Sequence, residues 1–167
     1  VDGYEIAGGG IIVAAEEEER DELRFEARMR DFHWVPGGVR AAERAQRLGH
    51  RSALIMFVGR ADAPKHQYAR AVEKELFANR CNAYMLDGTN ILLGIDADLH
   101  FVDATQRELV RRFTEVAYLL LDAGTLVIST TNAIGLADYG DVQALLGDAA
   151  SIVIDVDPDG KSTAPCD

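Results

Sequence analysis

The sequence has little cysteine, no long apolar run and no basic surplus, and each of these absences removes a class of function. Its 167 residues include two cysteines, Cys81 and Cys166, whose separation fits no metal-binding or redox motif. No stretch reaches the ~18 consecutive apolar residues of a membrane span. The net charge of −11 gives no electrostatic footprint for nucleic acid or an anionic membrane. We therefore expect a cytoplasmic protein with reduced thiols and with no nucleic-acid or membrane partner.

What the sequence does contain is an alternation of apolar runs and helical patterns. The runs are "SALIMFVG", "NAYMLDG", "TLVIST" and "ASIVIDVD", and helical spacing fills the segments between them. Continuous apolar strands separated by helices are typical of a parallel sheet that is covered on both faces. Ligands bind such sheets at the carboxyl ends of the strands, which here carry Gly59, Asp87, Ser129 and Asp155.

The chain divides by composition into three parts. Residues 1–13 read as an extended strand with three consecutive glycines. Residues 14–31 have acids first and arginines last, which matches the dipole of a charged linker helix. Residues 32–167 hold the α/β pattern. Because the sequence starts in a strand-like segment without methionine, we expect it to be part of a longer protein.

The stretch "GRADAPKHQYA" has the frame of a phosphate-binding loop. Gly59 and Lys65 keep the spacing of that motif after an apolar strand. Pro64 stands at the inner glycine and removes an N–H donor, Asp62 brings a carboxylate to the phosphate position, and His66 replaces the hydroxyl residue that holds magnesium. The loop is therefore either an unusual nucleotide site or the remnant of one, and a first-turn lysine such as Lys65 is also commonly solvated.

A second group of polar residues follows the next strand, in "LDGTN" and beyond. Asp87, at the strand end, is a candidate general base or ligand of a magnesium-bound water. Three further acids have the chemistry to collect a cation, although a solvated acidic loop is the more common case: Asp96, Asp98 and Asp103. The four histidines show no ligand spacing, so we expect no metal site built from protein side chains alone.

Three longer motifs carry a resemblance to a known family. They are "FHWVPGGVRAAERAQRLGHRSALIMFVG", "YMLDGTNILLGIDADLHF" and "EVAYLLLDAGTLVIS", and over residues 32–158 the chain resembles the adenylylsulfate (APS) kinase family. The resemblance implies a three-layer α/β/α P-loop NTPase-like domain with a mainly parallel sheet, preceded by a short strand and the linker helix. Active members transfer the γ-phosphate of ATP to the 3′-hydroxyl of APS, with magnesium, to give PAPS.

The first residues carry a separate resemblance. "VDGYEIAGGGII" is similar to the closing strand of the GTPase subunit of sulfate adenylyltransferase, so residues 1–13 are expected to be the end of a preceding GTPase β-barrel domain. The partners that this implies are that GTPase domain and the small sulfurylase subunit, with a homodimer as a further candidate because family members commonly dimerise.

Some residues of the family pattern are kept in this chain and others are replaced. Gly59, Lys65, Asp87, Asn90 and Phe101 match, and Asn90 and Phe101 are the implied APS-binding candidates, with Phe101 stacking on adenine. Four positions lack the residue that the family has there. Thr89 replaces an acid and Leu92 an arginine, and in the following helix Gln106 replaces an arginine and Leu109 an asparagine.

We therefore expect a catalytically degenerate APS kinase-like domain that is structural, oligomerising or nucleotide-sensing, and we assign it no cofactor unless the family activity is retained. Two alternatives stay open. One is an active adenylylsulfate kinase that uses Mg and ATP, with Asp87 as its catalytic residue. The other is a module that binds APS or another adenine nucleotide without turnover.

Overall fold

Four parallel strands form the centre of the fold in the computed structural model, which describes residues 3–99 and 105–156 and, within them, the side chains of residues 17, 18, 20–99 and 105–156. The strands run in the order β2-β3-β1-β4. Their bounds are β1 Ala53–Val58, β2 Ala83–Asp87, β3 Leu126–Thr130 and β4 Ser151–Asp155. The helices are α1 Gly3–Phe32, α2 Ala41–Leu48, α3 Lys65–Ala78, α4 Gly88–Leu93, α5 Gln106–Asp122 and α6 Tyr139–Leu146.

Both faces of the sheet are covered by helices, as the apolar strands predict. On one face Ala69 of α3 packs in a cluster with Phe57 and Ile128 of the sheet. On the other face the buried cluster joins the sheet to α5, through Phe113, and to α6, through Leu145. The predicted three-layer α/β/α arrangement with a parallel sheet is therefore confirmed.

The pairing register aligns the carboxyl ends of three strands. Phe57 of β1 lies opposite Thr130 of β3, and Asp87 of β2 lies opposite the same Thr130. Because side chains alternate across a sheet, Asp87 and Thr130 share the face that α3 covers. The strand ends therefore bring the predicted loop, Asp87 and β3 to one edge.

The start of the chain differs from the prediction. Residues 1–13 were expected to form a strand, but the chain is helical from Gly3 to Phe32, so that expectation is wrong from Gly3 on. A strand needs a partner strand for its backbone groups, whereas a helix pairs its own N–H and C=O groups; no described strand pairs with this segment. The division into a GTPase remnant, a linker helix and a kinase-like domain stays a prediction.

The charged half of α1 packs against the helical layer. Leu23 and Ala27 are buried, at 1% and 4% exposure, and Leu23 belongs to the main core cluster. Arg20 pairs with Asp141 of α6 at 3.3 Å. Arg30 pairs with Glu115 of α5 at 3.1 Å. This half of the helix is thus fastened to the α/β body by apolar contacts and ion pairs together.

One helix was not predicted. Asp87 caps the six-residue α4, because its side chain accepts a hydrogen bond from the backbone N–H of Thr89 at 2.8 Å. Aspartate is among the preferred N-cap residues, so the strand-end carboxylate also starts the next helix. None of the described helices is both long and apolar enough to cross a bilayer.

Candidate nucleotide site at the carboxyl edge of the sheet

The loop between β1 and α3 begins with a backbone turn that only glycine adopts easily. Gly59 has φ +139°, a region that residues with a Cβ rarely enter. Its backbone also lies against β4, since an added Cβ would stand 3.3 Å from Asp155 Oδ1 and from the carbonyl carbon of Val156. The first glycine of the loop motif is therefore kept for a conformational reason.

Lys65 is buried inside this loop. Its side chain has 0% exposure, and Nζ donates hydrogen bonds of 2.7 Å to the carbonyl oxygens of Gly59 and Arg60. Burial lowers the pKa of Lys65, while the charges of Asp62 and Asp155 oppose that shift. The common alternative, a solvated first-turn lysine, does not hold here, because the ammonium donates hydrogen bonds to two carbonyls of the same loop.

The outer side of the loop carries an ion pair in place of phosphate donors. Asp62 accepts two hydrogen bonds from Arg60, at 3.1 Å from Nε and 2.8 Å from Nη2, and the bond from Arg60 is the main reason that the pKa of Asp62 is lowered. Pro64 precedes α3 at its N-cap position and has no N–H to offer a ligand. The loop therefore presents a paired carboxylate and a proline where the motif calls for free N–H groups.

His66 and Asp87 form a pair that the sequence did not predict. His66 Nε2 lies 2.8 Å from Asp87 Oδ2, while Asp87 Oδ1 accepts from Thr89 N. Both carboxylate oxygens are thus engaged. Asp87 ends β2 and His66 lies in α3, which follows β1, and β3 lies between those two strands. Sequence spacing alone contains no signal for that order.

A cavity of about 470 Å³ opens beside this pair, between α4, the start of α5 and the loop after β3. The described residues of its lining are all uncharged: Gly88, Thr89, Leu92, Gln106, Leu109, Thr131, Asn132 and Ala133. We call it the neutral pocket. Gln106 Nε2 donates to the carbonyl oxygen of Ala133 at 2.7 Å, which holds the loop after β3 in place. The four positions at which the chain lacks the family's acid, arginines and asparagine all line this one cavity.

The backbones at the ends of β2 and β3 approach closely beneath this pocket. An added Cβ at Gly88 would collide with Cβ and Oγ1 of Thr131. Thr131 is itself held in place, because its hydroxyl accepts a hydrogen bond from Ala133 N at 3.0 Å. Glycine is therefore required at position 88 by the space available.

The remaining predicted residues are dispersed. Asn90 is exposed on α4 and is not part of the lining of the neutral pocket, and Phe101 and Asp103 lie outside the described residues. Asp98 accepts from Arg112 at 3.0 Å, and Asp96 is buried. Within the described part of the chain, no three His, Cys, Asp or Glu side chains are grouped as metal ligands.

The donor set at this edge does not fit magnesium-bound ATP held in the usual way. That mode needs a lysine free to reach the β- and γ-phosphates and a hydroxyl next to it for magnesium. Here the Lys65 ammonium is bonded to two carbonyls, and His66 is bonded to Asp87. We therefore derive no catalytic step through Mg-ATP.

Comparison with known proteins places this geometry in context. The family model for adenylylsulphate kinase matches residues 51–158. The adenylyl-sulfate kinase of Shewanella amazonensis is 39% identical over 128 residues, which are 77% of this chain and 65% of that protein. The chain spans between about half and two thirds of the length of the curated relatives that it matches.

Solved structures agree on the fold. The APS kinase CysC of Mycobacterium tuberculosis, in complex with AMPPNP and APS, aligns with a TM-score of 0.59 at 30% identity, over 64% of this chain and 63% of that chain. A hexameric APS kinase from Thiobacillus denitrificans aligns with a TM-score of 0.54 at 22% identity, over 68% of this chain and 24% of that chain. The former carries a nucleotide analogue and APS on a related scaffold.

Proposed function

Because the chain belongs to the adenylylsulphate kinase family, we propose that it is an APS kinase-like domain that has lost phosphotransfer and serves a structural, oligomerising or nucleotide-sensing role in sulfate activation. The observation that carries the proposal is the position of Lys65, whose ammonium is fully buried and bonded to the carbonyl oxygens of Gly59 and Arg60. A lysine held in this way is not available to phosphate oxygens.

The chemistry of phosphoryl transfer explains why the loss of a free loop lysine matters. Phosphoryl transfer depends almost wholly on positioning and on charge neutralisation of the transferring group. In this loop the Lys65 ammonium points inward and the Asp62 carboxylate points outward. The His66 imidazole occupies the position of the magnesium ligand. Among its described lining residues, the neutral pocket adds no cation at the acceptor side. Each change alone weakens catalysis, and together they remove the groups on which the reaction depends.

The test is a direct assay for PAPS formation from APS and Mg-ATP, with an active member of the family run in parallel. We expect no product above the uncatalysed background, and calorimetric titration with Mg-ATP should show no saturable binding at the loop. Time-dependent PAPS formation that scales with protein concentration would overturn the proposal.

A second candidate is an active adenylylsulfate kinase. The observation that favours it is the 39% identity to a relative named as that enzyme, together with the retained strand-end Asp87. This candidate requires the loop to open, so that Lys65 leaves its two carbonyls and Asp87 leaves His66. The same PAPS assay decides between the two, because only the second candidate gives product.

We further propose that the domain works beside a GTPase domain and the small sulfurylase subunit of sulfate adenylyltransferase, in the cytoplasm. The support is the sequence similarity of residues 1–12 to the closing strand of the GTPase subunit, although the chain is helical from Gly3 to Phe32. The test uses a full-length protein that contains this segment, with and without residues 32–167, and measures APS synthesis. An unchanged rate of APS synthesis after the deletion would refute a role of this domain beside those two partners.

A further inference from the structure

Another cavity lies at the opposite edge of the sheet from the loop between β1 and α3. It has a volume of about 440 Å³, which is in the range of small-molecule sites, about 300–1,000 Å³. Ser52, directly before β1, and Ala149, shortly before β4, place it at the amino ends of the strands. Because β1 has six residues and a strand rises about 3.3 Å per residue, the two edges are about 20 Å apart. We call this space the amino-edge cavity.

Three helices end at this cavity, and each brings an aspartate. Asp31 lies in the last turn of α1, Asp122 is the last residue of α5, and Asp148 follows α6 by two residues. A helix C-terminus carries a partial negative charge of roughly half an elementary charge, so the helix ends and the carboxylates add to the same potential. The N-terminus of α2, at Ala41, has the opposite sign, but Glu43 in its first turn offsets it. The lining therefore favours a cation.

Only part of this charge is neutralised within the described part of the chain. Arg30 pairs with Asp31 at 2.9 Å, and its guanidinium lies 3.5 Å from the centre of the Tyr118 ring. The last turns of α5 and α6 contain no basic residue, and no described side chain forms an ion pair with Asp122 or Asp148. A carboxylate at a helix C-terminus is destabilised by the helix dipole unless a cation compensates it. The lining can therefore accept two positive charges.

The rest of the cavity wall is aromatic and aliphatic. Trp34 and Tyr118 both line it, with ring centres 5.3 Å apart and ring planes at 82°. Aromatic faces attract cations, and tryptophan does so most strongly. Arg30 already covers the ring of Tyr118, so a ligand would contact the Trp34 ring. Leu121 and Leu146 add apolar surface for an alkyl chain.

From this lining we propose that the amino-edge cavity binds a small aliphatic diamine, with its ammonium groups at Asp122 and Asp148 and its alkyl chain against Trp34. Carboxylates accept hydrogen bonds, which favours N–H donors over a quaternary ammonium. Two uncompensated carboxylates favour two positive charges over one. The apolar wall favours an organic cation over a metal ion, and the described acids are not grouped as metal ligands. The inference is independent of the proposed function, because it concerns the opposite edge of the sheet.

The experiment uses the single tryptophan of the chain, Trp34, as a fluorescent probe inside the cavity, with calorimetry in parallel. The full chain is titrated at pH 7 in phosphate buffer with 1,4-diaminobutane, butylamine, tetramethylammonium, magnesium chloride and the neutral 1,4-butanediol. We expect one diamine to bind per chain, at least about tenfold more tightly than butylamine, with an affinity that falls as salt is added, and no saturable response to the diol. Equal affinity for butylamine or tetramethylammonium, tighter binding of magnesium, or no saturable signal from the diamine by either method overturns the inference.

Two double variants make the test specific. Asp122→Asn with Asp148→Asn removes the two carboxylates, whereas Glu17→Gln with Glu18→Gln removes the same charge from exposed positions of α1 outside the lining. We expect diamine binding to weaken at least about tenfold in the first and by less than about twofold in the second. An equal loss in both would show a response to net charge and overturn a local site. The Tm of the aspartate variant should equal or exceed that of the parent, because two acids leave helix C-termini; a lower Tm would contradict the uncompensated charge from which the inference starts.

Discussion

Lys65 is the residue at which the sequence most resembles a kinase, but its contacts in the structure are structural ones. The sequence places it correctly in the loop frame, but only the structure shows that its ammonium lies between two carbonyls of the same loop. A buried cation with satisfied hydrogen bonds stabilises a loop, and the same carbonyls left unpaired destabilise it. The residue is therefore part of the packing in this structure.

The Lys65→Met variant tests this role. Methionine keeps the apolar stem and removes both hydrogen bonds, so the free energy of unfolding should fall by about 1–3 kcal/mol. Urea denaturation at pH 7 measures the change, and Lys74→Met on the exposed side of the same helix is the matched control, with an expected effect within about 0.5 kcal/mol. Equal stability of the two variants would show that the ammonium has no structural role.

Glu108 gives a pH-dependent prediction at the same scale. Hydrogen bonds from Arg111 and then Arg112 lower its pKa from 4.5 to about 2. A carboxyl with a lowered pKa in the folded state stabilises the fold above its unfolded value, and this contribution is lost as pH falls from about 4.5 towards 2. Glu108→Gln should therefore be less stable at pH 7 and should lose less stability between pH 5 and 2.

Chemical denaturation across that pH range makes the comparison. Glu18→Gln, an exposed change on α1, removes the same charge. Its free energy of unfolding should fall with decreasing pH at the same slope as in the parent protein. A parent-like slope in Glu108→Gln would mean that the ion pairs of Arg111 and Arg112 do not set the acid stability.

Among the elements, the loop from β1 to α3 is the one in which several substitutions act together. Asp62→Gly, Pro64→Gly and His66→Ser, combined, restore the glycines and the hydroxyl of the motif. We expect the triple variant to show saturable Mg-ATP binding by calorimetry where the parent shows none. PAPS formation should remain absent, because the neutral pocket still lacks cations.

The control triple replaces the same three residues by alanine. It removes the carboxylate, the proline ring and the imidazole without supplying glycines or a hydroxyl, so it should not bind Mg-ATP. Equal binding by both triples would indicate that relief of the Asp62 charge is sufficient. No Mg-ATP binding by either triple variant would indicate that the buried position of Lys65 prevents binding.

The elements also show which parts of the structure a sequence can specify. β1 and α3 follow from an apolar run and helical spacing, and both form as predicted. Helix α4 was missed because its six residues are too few for a periodic pattern and its start is an aspartate at a strand end. The strand at residues 1–13 was predicted from a strand-like local pattern and from a resemblance to a closing strand, but a strand also depends on a partner that local sequence does not specify. The pairing of His66 with Asp87 depends on strand order, which is likewise non-local.

At the scale of the whole molecule, α1 adds a further layer of contacts to the α/β body. Its many charges predicted a linker helix, because the apolar stripe that packs inward is narrow. Leu23 and Ala27 form part of that stripe, at 1% and 4% exposure. The ion pairs of Arg20 and Arg30 join the helix to α6 and α5 at its sides.

Leu23→Ala measures how much this packing stabilises the protein. Loss of a buried leucine side chain should lower the free energy of unfolding by about 2–4 kcal/mol. Phe25→Ala, two positions along the same helix and 62% exposed, removes a larger apolar side chain and should cost less than the leucine. Thermal and urea unfolding of the two variants provide the comparison, and a larger loss for Phe25→Ala would mean that the inner face of α1 is not the packing face.

The close approach of Gly88 to Thr131 has a consequence for how the sequence can change. Position 88 does not accept a larger residue while Thr131 keeps its side chain, so a change at 88 depends on the residue at 131. Gly88→Ala alone should cost about 1–3 kcal/mol through overpacking, and the penalty should shrink in the presence of Thr131→Gly, as a double-mutant cycle would reveal. A larger residue at 88 is then conditional on a smaller one at 131, and the order of the two substitutions matters: the smaller side chain at 131 has to come first.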